Sequence, residues 1–147
     1  MDDALPWSDQ FAVGHETIDR QHRLLVDRIN EIAEAVSLND QGRISTLFQS
    51  LRALAVEHFR EENALLWQIK TGTLRRRSSK ALPRPIQGLL SDSQFEEHTA
   101  DHVSLLTRIE QIAEASASSI VDQLKAWFVD HSVAHDAHLR SIFEAIS

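Results

Sequence analysis

Hydrophobic residues recur every three or four positions in four separate stretches of the chain, the spacing of a buried stripe along an α-helix. This pattern predicts helices over about 17–37, 43–70 and 93–115, and a fourth that includes residues 124–143. Short polar segments at 39–42 and 116–119 join the first pair and the last pair. Because short connections favour antiparallel neighbours, we predict an all-α, up-down-up-down four-helix bundle.

Two stretches fall outside the helical pattern. Residues 1–16 contain Pro6 and Gly14, and we expect an irregular N-terminal arm that lies along the bundle. Residues 70–91 contain six Lys and Arg residues and no acid, with Gly and Pro residues that interrupt a helix. We expect a long basic loop between the second and third helices. The whole chain, 1–147, is predicted to form one domain.

Local signals predict where the last two helices begin. Ser93 and Glu96 have the spacing of a capping box, in which two side chains satisfy free backbone N–H groups at a helix start. Ser119 and Asp122 repeat that spacing. We therefore expect the third helix to begin near Ser93 and the fourth near Ser119.

Composition excludes several classes of protein. The chain has no Cys, which rules out disulfides and thiolate-bound metals. A net charge of −7 argues against general affinity for nucleic acid. No apolar run approaches the roughly 18 residues of a membrane span, and the N-terminus lacks a secretory signal. We expect a cytoplasmic protein without a membrane partner.

Histidines and acids stand on the apolar stripes, where water is excluded. His58 and Glu62 are four residues apart, as are His98 and His102, so each pair shares a helix face. Burying such groups without a partner costs several kcal/mol each, and a metal pair would supply that partner. The candidate ligands are His22, His58, Glu62, His98, His102, His131 and Asp136.

Two alternatives stay open at this point. The polar groups could form a hydrogen-bonded core without metal. His135 also competes with Asp136, because His135 lies four residues, about one turn, after His131. Asp136 lies five residues after His131, which on an ideal α-helix rotates it by about 140° away from the direction of His131. Imidazole-rich ligation suits iron, zinc or copper better than magnesium or calcium.

The motifs resemble those of the hemerythrin family, specifically bacterial single-domain hemerythrins. They are Ile18-Asp19-x-Gln21-His22, His58-Phe59-x-x-Glu62, His98-x-x-x-His102 and Trp127-x-x-x-His131-x-x-x-x-Asp136. The resemblance favours Asp136 over His135 and implies two irons joined by an oxo or hydroxo bridge. It places His98, His102 and His131 on one iron and His22 and His58 on the other. Glu62 and Asp136 would bridge both.

The same resemblance implies reversible dioxygen binding by a carrier, store or sensor, at one open position on the iron with two His ligands. An apolar wall would protect that position, and the candidate wall residues are Leu25, Phe59, Leu105 and Leu106. No catalytic residue is predicted. The alternatives are a di-iron redox enzyme that reduces peroxide or nitric oxide or oxidises ferrous iron, and a redox-dependent signalling module.

The chain also departs from the family. Asn63 and Leu66 stand where an acid and a Met are usual, and the link from Glu62 to His98 is about twenty residues longer. This extra length contains the basic loop 70–91, which we interpret first as a solvated insertion folded over the acidic bundle. The alternatives are a surface that binds an acidic protein partner and a segment that alters access to the iron site. No aromatic residues alternate with its arginines, so base stacking with a nucleic acid is disfavoured.

Overall fold

The structure is a computed structural model that describes residues 5–71, 91–135 and 137–146. Its elements are a 3₁₀-helix Asp9–Phe11, α1 Glu16–Ser37, α2 Gln41–Thr71, α3 Asp92–Ala113, α4 Ala117–Val129, a π-helical segment Asp130–His135 and α5 Ala137–Ile146. The described residues contain no strand, which confirms the all-α prediction. Residues 72–90, most of the predicted basic loop, lie outside the described part of the chain.

The long helices pack as a bundle. Helix α1 packs against α2 and α4, and α3 packs against the same two helices, so each helix has two neighbours around a shared core. The predicted fourth helix is divided into α4, the π-helical segment and α5. The up-down-up-down order of the helices stays a prediction.

Both capping predictions were wrong by a few residues. At the start of α3 the capping box uses Ser91 and Gln94, whose side chains bond each other's backbone N–H groups at 3.1 and 2.8 Å. Helix α4 begins after Ser116, and no side-chain cap is formed there. Ser and acid spacings are common enough that neighbouring positions compete, and the position where helical packing begins decides between them.

A layer of polar residues separates two apolar clusters in the core. The larger cluster includes Leu25 and Phe128, and the smaller includes Ile18 and Leu139. On α1, His22 lies between Ile18 of the smaller cluster and Leu25 of the larger. On the other elements the polar residues likewise stand between residues of the two clusters, so hydrocarbon encloses the polar side chains on both sides.

Side chains of α1 hold the N-terminal arm through hydrogen bonds to the backbone of the arm. Asn30 accepts from the N–H of Leu5 at 2.6 Å and donates to its carbonyl at 3.0 Å. Asp19 accepts from the N–H of Val13 at 2.7 Å. Phe11 is buried in the larger cluster and Val13 in the smaller, so the arm crosses the level of the polar layer. Among the described helices, none has an apolar stretch long enough to cross a membrane.

Candidate metal centre

Six of the seven predicted ligands meet in the polar layer. Each side chain is at most 3% exposed. They come from four elements: His22 from α1, His58 and Glu62 from α2, His98 and His102 from α3, and His131 from the π-helical segment. Asp136 lies outside the described residues, as do the side chains of His135 and His138.

The six residues form two groups that share Glu62. One contains His22, His58, Glu62 and His131, and the other contains Glu62, His98 and His102. Within each group the potential ligand atoms lie within 4.8 Å of one another, a spacing that could hold a metal ion. His131 groups with His22 and His58, whereas the family resemblance implied that it shares a metal with His98 and His102.

The carboxylate of Glu62 stands between the two groups. Its Oε1 is 2.8 Å from the Nε2 atoms of both His98 and His102. Its Oε2 is 3.0 Å from His58 Nε2, but the pair lacks the alignment of a hydrogen bond. Burial alone raises the pKa of Glu62, but His131 and His58 outweigh that effect and hold the pKa well below its usual range. Glu62 is therefore anionic, with one oxygen directed to each group.

Three of the imidazoles are held from outside the cluster through their other nitrogen. The Nδ1–H of His22 donates to the carbonyl of Phe11 at 2.6 Å. His58 donates to Gln21 Oε1 at 2.9 Å, and His102 donates to Asn63 Oδ1 at 2.6 Å. In a neutral imidazole a proton on Nδ1 leaves a lone pair on Nε2. This is the arrangement that metal-binding histidines normally have.

The inward lone pairs require a cation among them. His22 Nε2 is 3.2 Å from His58 Nε2, which is 3.0 Å from His131 Nε2. With Nδ1 protonated on His22 and His58, two lone pairs face each other, and the same holds between His102 Nε2 and Glu62 Oε1. A proton on His58 or His102 is a poor choice for that cation, because burial lowers the pKa of His58 to about 4 and also lowers the pKa of His102. The donor set therefore fits a metal.

The π-helical segment changes the argument about spacing after His131. A π turn contains more residues than an α turn, so a residue five positions after another lies closer to the same helix face than it would on an α-helix. The Asp130–His135 segment is of this kind. The rotation of about 140° expected on an ideal α-helix therefore does not argue against a ligand five residues after His131. The described residues do not distinguish His135 from Asp136 as that ligand.

Sequence reasoning missed the partners that orient the imidazoles. Gln21 and Asn63 adjoin His22 and Glu62 in the chain, so each lies on the helix face next to the apolar stripe. A polar residue next to a buried ligand was the available signal, since it can reach a ligand on the neighbouring helix. The carbonyl of Phe11 carried no such signal, because every residue has one.

Comparison with known proteins agrees with this geometry. No individual curated protein matches the chain. The model of one family, the hemerythrin HHE cation binding domain, matches residues 13–141. This family implies a metal site, typically of iron, and the matched region contains all six clustered residues. By this match, which includes most of its length, the chain belongs to the hemerythrin family.

Proposed function

We propose that this protein binds two iron ions, joined by an oxo or hydroxo bridge, and uses them to bind dioxygen reversibly. The observation that carries the proposal is the convergence of imidazole nitrogens on the two oxygens of buried Glu62. Family membership supports iron as the metal. The proposal takes His22, His58, Glu62, His98, His102, His131 and Asp136 as ligands, in helices that run up-down-up-down.

Bound iron would supply the electrons that dioxygen takes up and returns. The protein's part begins with Glu62, which belongs to both ligand groups and would offer a carboxylate oxygen to a metal in each. Phe11, Gln21 and Asn63 keep protons on the outer nitrogens, so that the inner nitrogens stay free for metal.

The apolar surroundings would protect bound dioxygen from water and protons. Phe59 stacks on the His102 ring with centroids 4.4 Å apart and meets the His131 ring edge-on at 5.1 Å. Leu25 and Leu105 are buried in the larger cluster, and Leu106 packs against it from a partly exposed position. These four residues are the predicted wall, and their packing on the larger cluster supports that role.

The test is an anaerobic titration with ferrous iron, followed by visible spectra as dioxygen is admitted and removed. We expect two irons per chain and a charge-transfer band that appears with dioxygen and fades when it is removed. Rapid, irreversible oxidation would contradict the proposal. Turnover of peroxide, nitric oxide or ferrous iron under the same conditions would instead identify a redox enzyme.

A second titration tests the seventh ligand. Asp136→Ala should lower the stoichiometry below two irons, whereas His135→Ala should retain two irons and the dioxygen-dependent band. The reverse result would exchange their roles. An acidic protein partner for residues 70–91, and a signalling role that depends on it, stay predictions from the charge of that segment.

A further inference from the structure

Arg140 joins the C-terminal helix to the N-terminal arm. Its Nε–H donates to the carbonyl of Ala12 at 2.9 Å. Its Nη2 donates to the carbonyl of Asp9 at 3.3 Å and to that of Gln10. One guanidinium on α5 thus binds three backbone carbonyls in or next to the 3₁₀-helix. A cation is favoured at the carbonyl end of a helix.

These carbonyls flank the one that orients a candidate ligand. Phe11 stands between Gln10 and Ala12, and its carbonyl accepts the Nδ1–H of His22 at 2.6 Å. With the peptides on either side held by Arg140, the carbonyl of Phe11 has little freedom to turn. Since the acceptor is backbone, no side-chain substitution at position 11 removes it, and Arg140 offers a way to change its position.

The other polar anchors described for the arm run to α1, and Phe11 packs edge-on against Phe128 of α4. Asn30, Asp19 and the Arg23–Trp7 cation–π contact at 4.2 Å all fix the arm to α1. Helix α1 also carries His22 itself, so these contacts hold the arm and the ligand on the same element. Arg140 instead ties the arm to α5, which follows directly on the segment that supplies His131.

We propose that Arg140 is a positioning residue for His22, acting through the arm carbonyls to hold the His22 imidazole with its proton on Nδ1. As a consequence, the half of the site that contains His22 and His58 should have a metal affinity that depends on the docking of the arm. This proposal builds on the metal centre proposed above, but its first test needs no metal.

The first test is nitrogen NMR of the metal-free protein with labelled histidine. In the wild type we expect His22 to carry its proton on Nδ1 and to exchange it slowly with solvent. Arg140→Met should raise that exchange rate at least about 10-fold while core amide protons exchange as before. Arg140→Lys, which retains a cation with fewer fixed donors, should restore part of the protection. The matched control is Arg52→Met, which removes an exposed pair with Glu110.

The second test is competition of ferrous iron with a chelator under anaerobic conditions. Arg140→Met should lower the affinity for one of the two irons by about 10-fold, which is the lower end of the effect of changes outside the ligand shell. An unchanged His22 exchange rate in Arg140→Met would overturn the positioning role, as would equal acceleration of exchange throughout the core. A wild type that binds no iron would count against the proposed function alone, since the NMR test does not depend on iron.

Discussion

The two halves of the metal centre share one carboxylate, but different parts of the chain hold them. In the half with His22 and His58, the outer nitrogens bond the arm carbonyl of Phe11 and the α1 side chain of Gln21. In the half with His102, the outer partner is Asn63 on α2. The first half therefore depends on the docking of the N-terminal arm, whereas the orientation of His102 in the second half depends on the packing of α2 against α3.

This difference has a physical consequence for how each half responds to change. Short terminal segments open more readily than the packed helices of a bundle. The pairing of α2 with α3 places Glu62, Asn63 and His102 together as part of the bundle itself. We expect the half that contains His98 and His102 to be the more robust of the two.

Glu62→Gln should have the largest effect, because Glu62 is the one described carboxylate common to both halves. The amide matches the side chain in size but lacks the negative charge that favours two cations. We expect loss of stoichiometric iron, beyond the 10–100-fold weakening that outer-shell changes cause. Metal analysis after anaerobic loading measures this. Glu61→Gln, at the exposed neighbouring position, should retain two irons. Two irons in Glu62→Gln would refute the bridging role.

Much of the site was accessible from sequence, because ligand spacing follows helix geometry. His58 with Glu62 and His98 with His102 share faces by the four-residue rule, and the structure brings these four together with His22 and His131. The rule fails where the helix is not an ideal α-helix. The segment Asp130–His135 is a π turn, to which the four-residue spacing of an α-helix does not apply, and single-residue patterns do not predict such a turn.

The boundaries and the outer partners were harder to predict for a different reason. Ser91 and Ser93 offer similar capping chemistry, and packing of α3 selects the first. The bond from His22 to the Phe11 carbonyl depends on how the arm folds back, a tertiary contact between residues eleven apart. Periodicity therefore locates the ligands on their faces but does not reveal what orients them.

Acid should destabilise the metal-free protein in both halves. Burial lowers the pKa of His58 to about 4 and lowers that of His102, and Glu62 is also held below its usual pKa. For these two histidines the folded state binds fewer protons than the unfolded state, so their contribution to stability is present above about pH 6.5 and falls as the pH drops towards 4, whereas the contribution of Glu62 is lost only below about pH 4.5. The shift of the His58 pKa alone corresponds to a loss of about 3 kcal/mol in the free energy of unfolding between pH 6.5 and pH 4.

Urea unfolding of the metal-free protein at several pH values measures that loss. Iron-loaded protein provides the control, because bound metal excludes protons from the ligand nitrogens and delays the loss of stability to lower pH. Metal-free stability that stays constant or rises between pH 6.5 and pH 4 would show that the cluster already holds protons in the folded state.

One-sided variants separate the two halves directly. Gln21→Leu removes the acceptor of His58, and Asn63→Leu removes that of His102, each without adding a charge. Each variant should lower the affinity for one iron by about 10-fold and leave the affinity for the other nearly unchanged. Stepwise removal by a chelator, followed by metal counting, resolves the two. Equal weakening of both irons by either variant would mean that the halves do not act separately.

The smallest effect should come from strengthening an outer partner. Asn63→Asp replaces a neutral acceptor with a carboxylate at the position where the resemblance to hemerythrins implies an acid. A carboxylate polarises the Nδ1–H of His102 and makes its Nε2 a better ligand, so iron in that half should be retained severalfold more strongly. Gln21→Glu applies the same chemistry to His58. Because both positions are partly exposed, the added charge keeps some contact with water and its burial cost is small. Chelator competition measures both, and weaker retention in Asn63→Asp would show that desolvation outweighs the gain in ligand basicity.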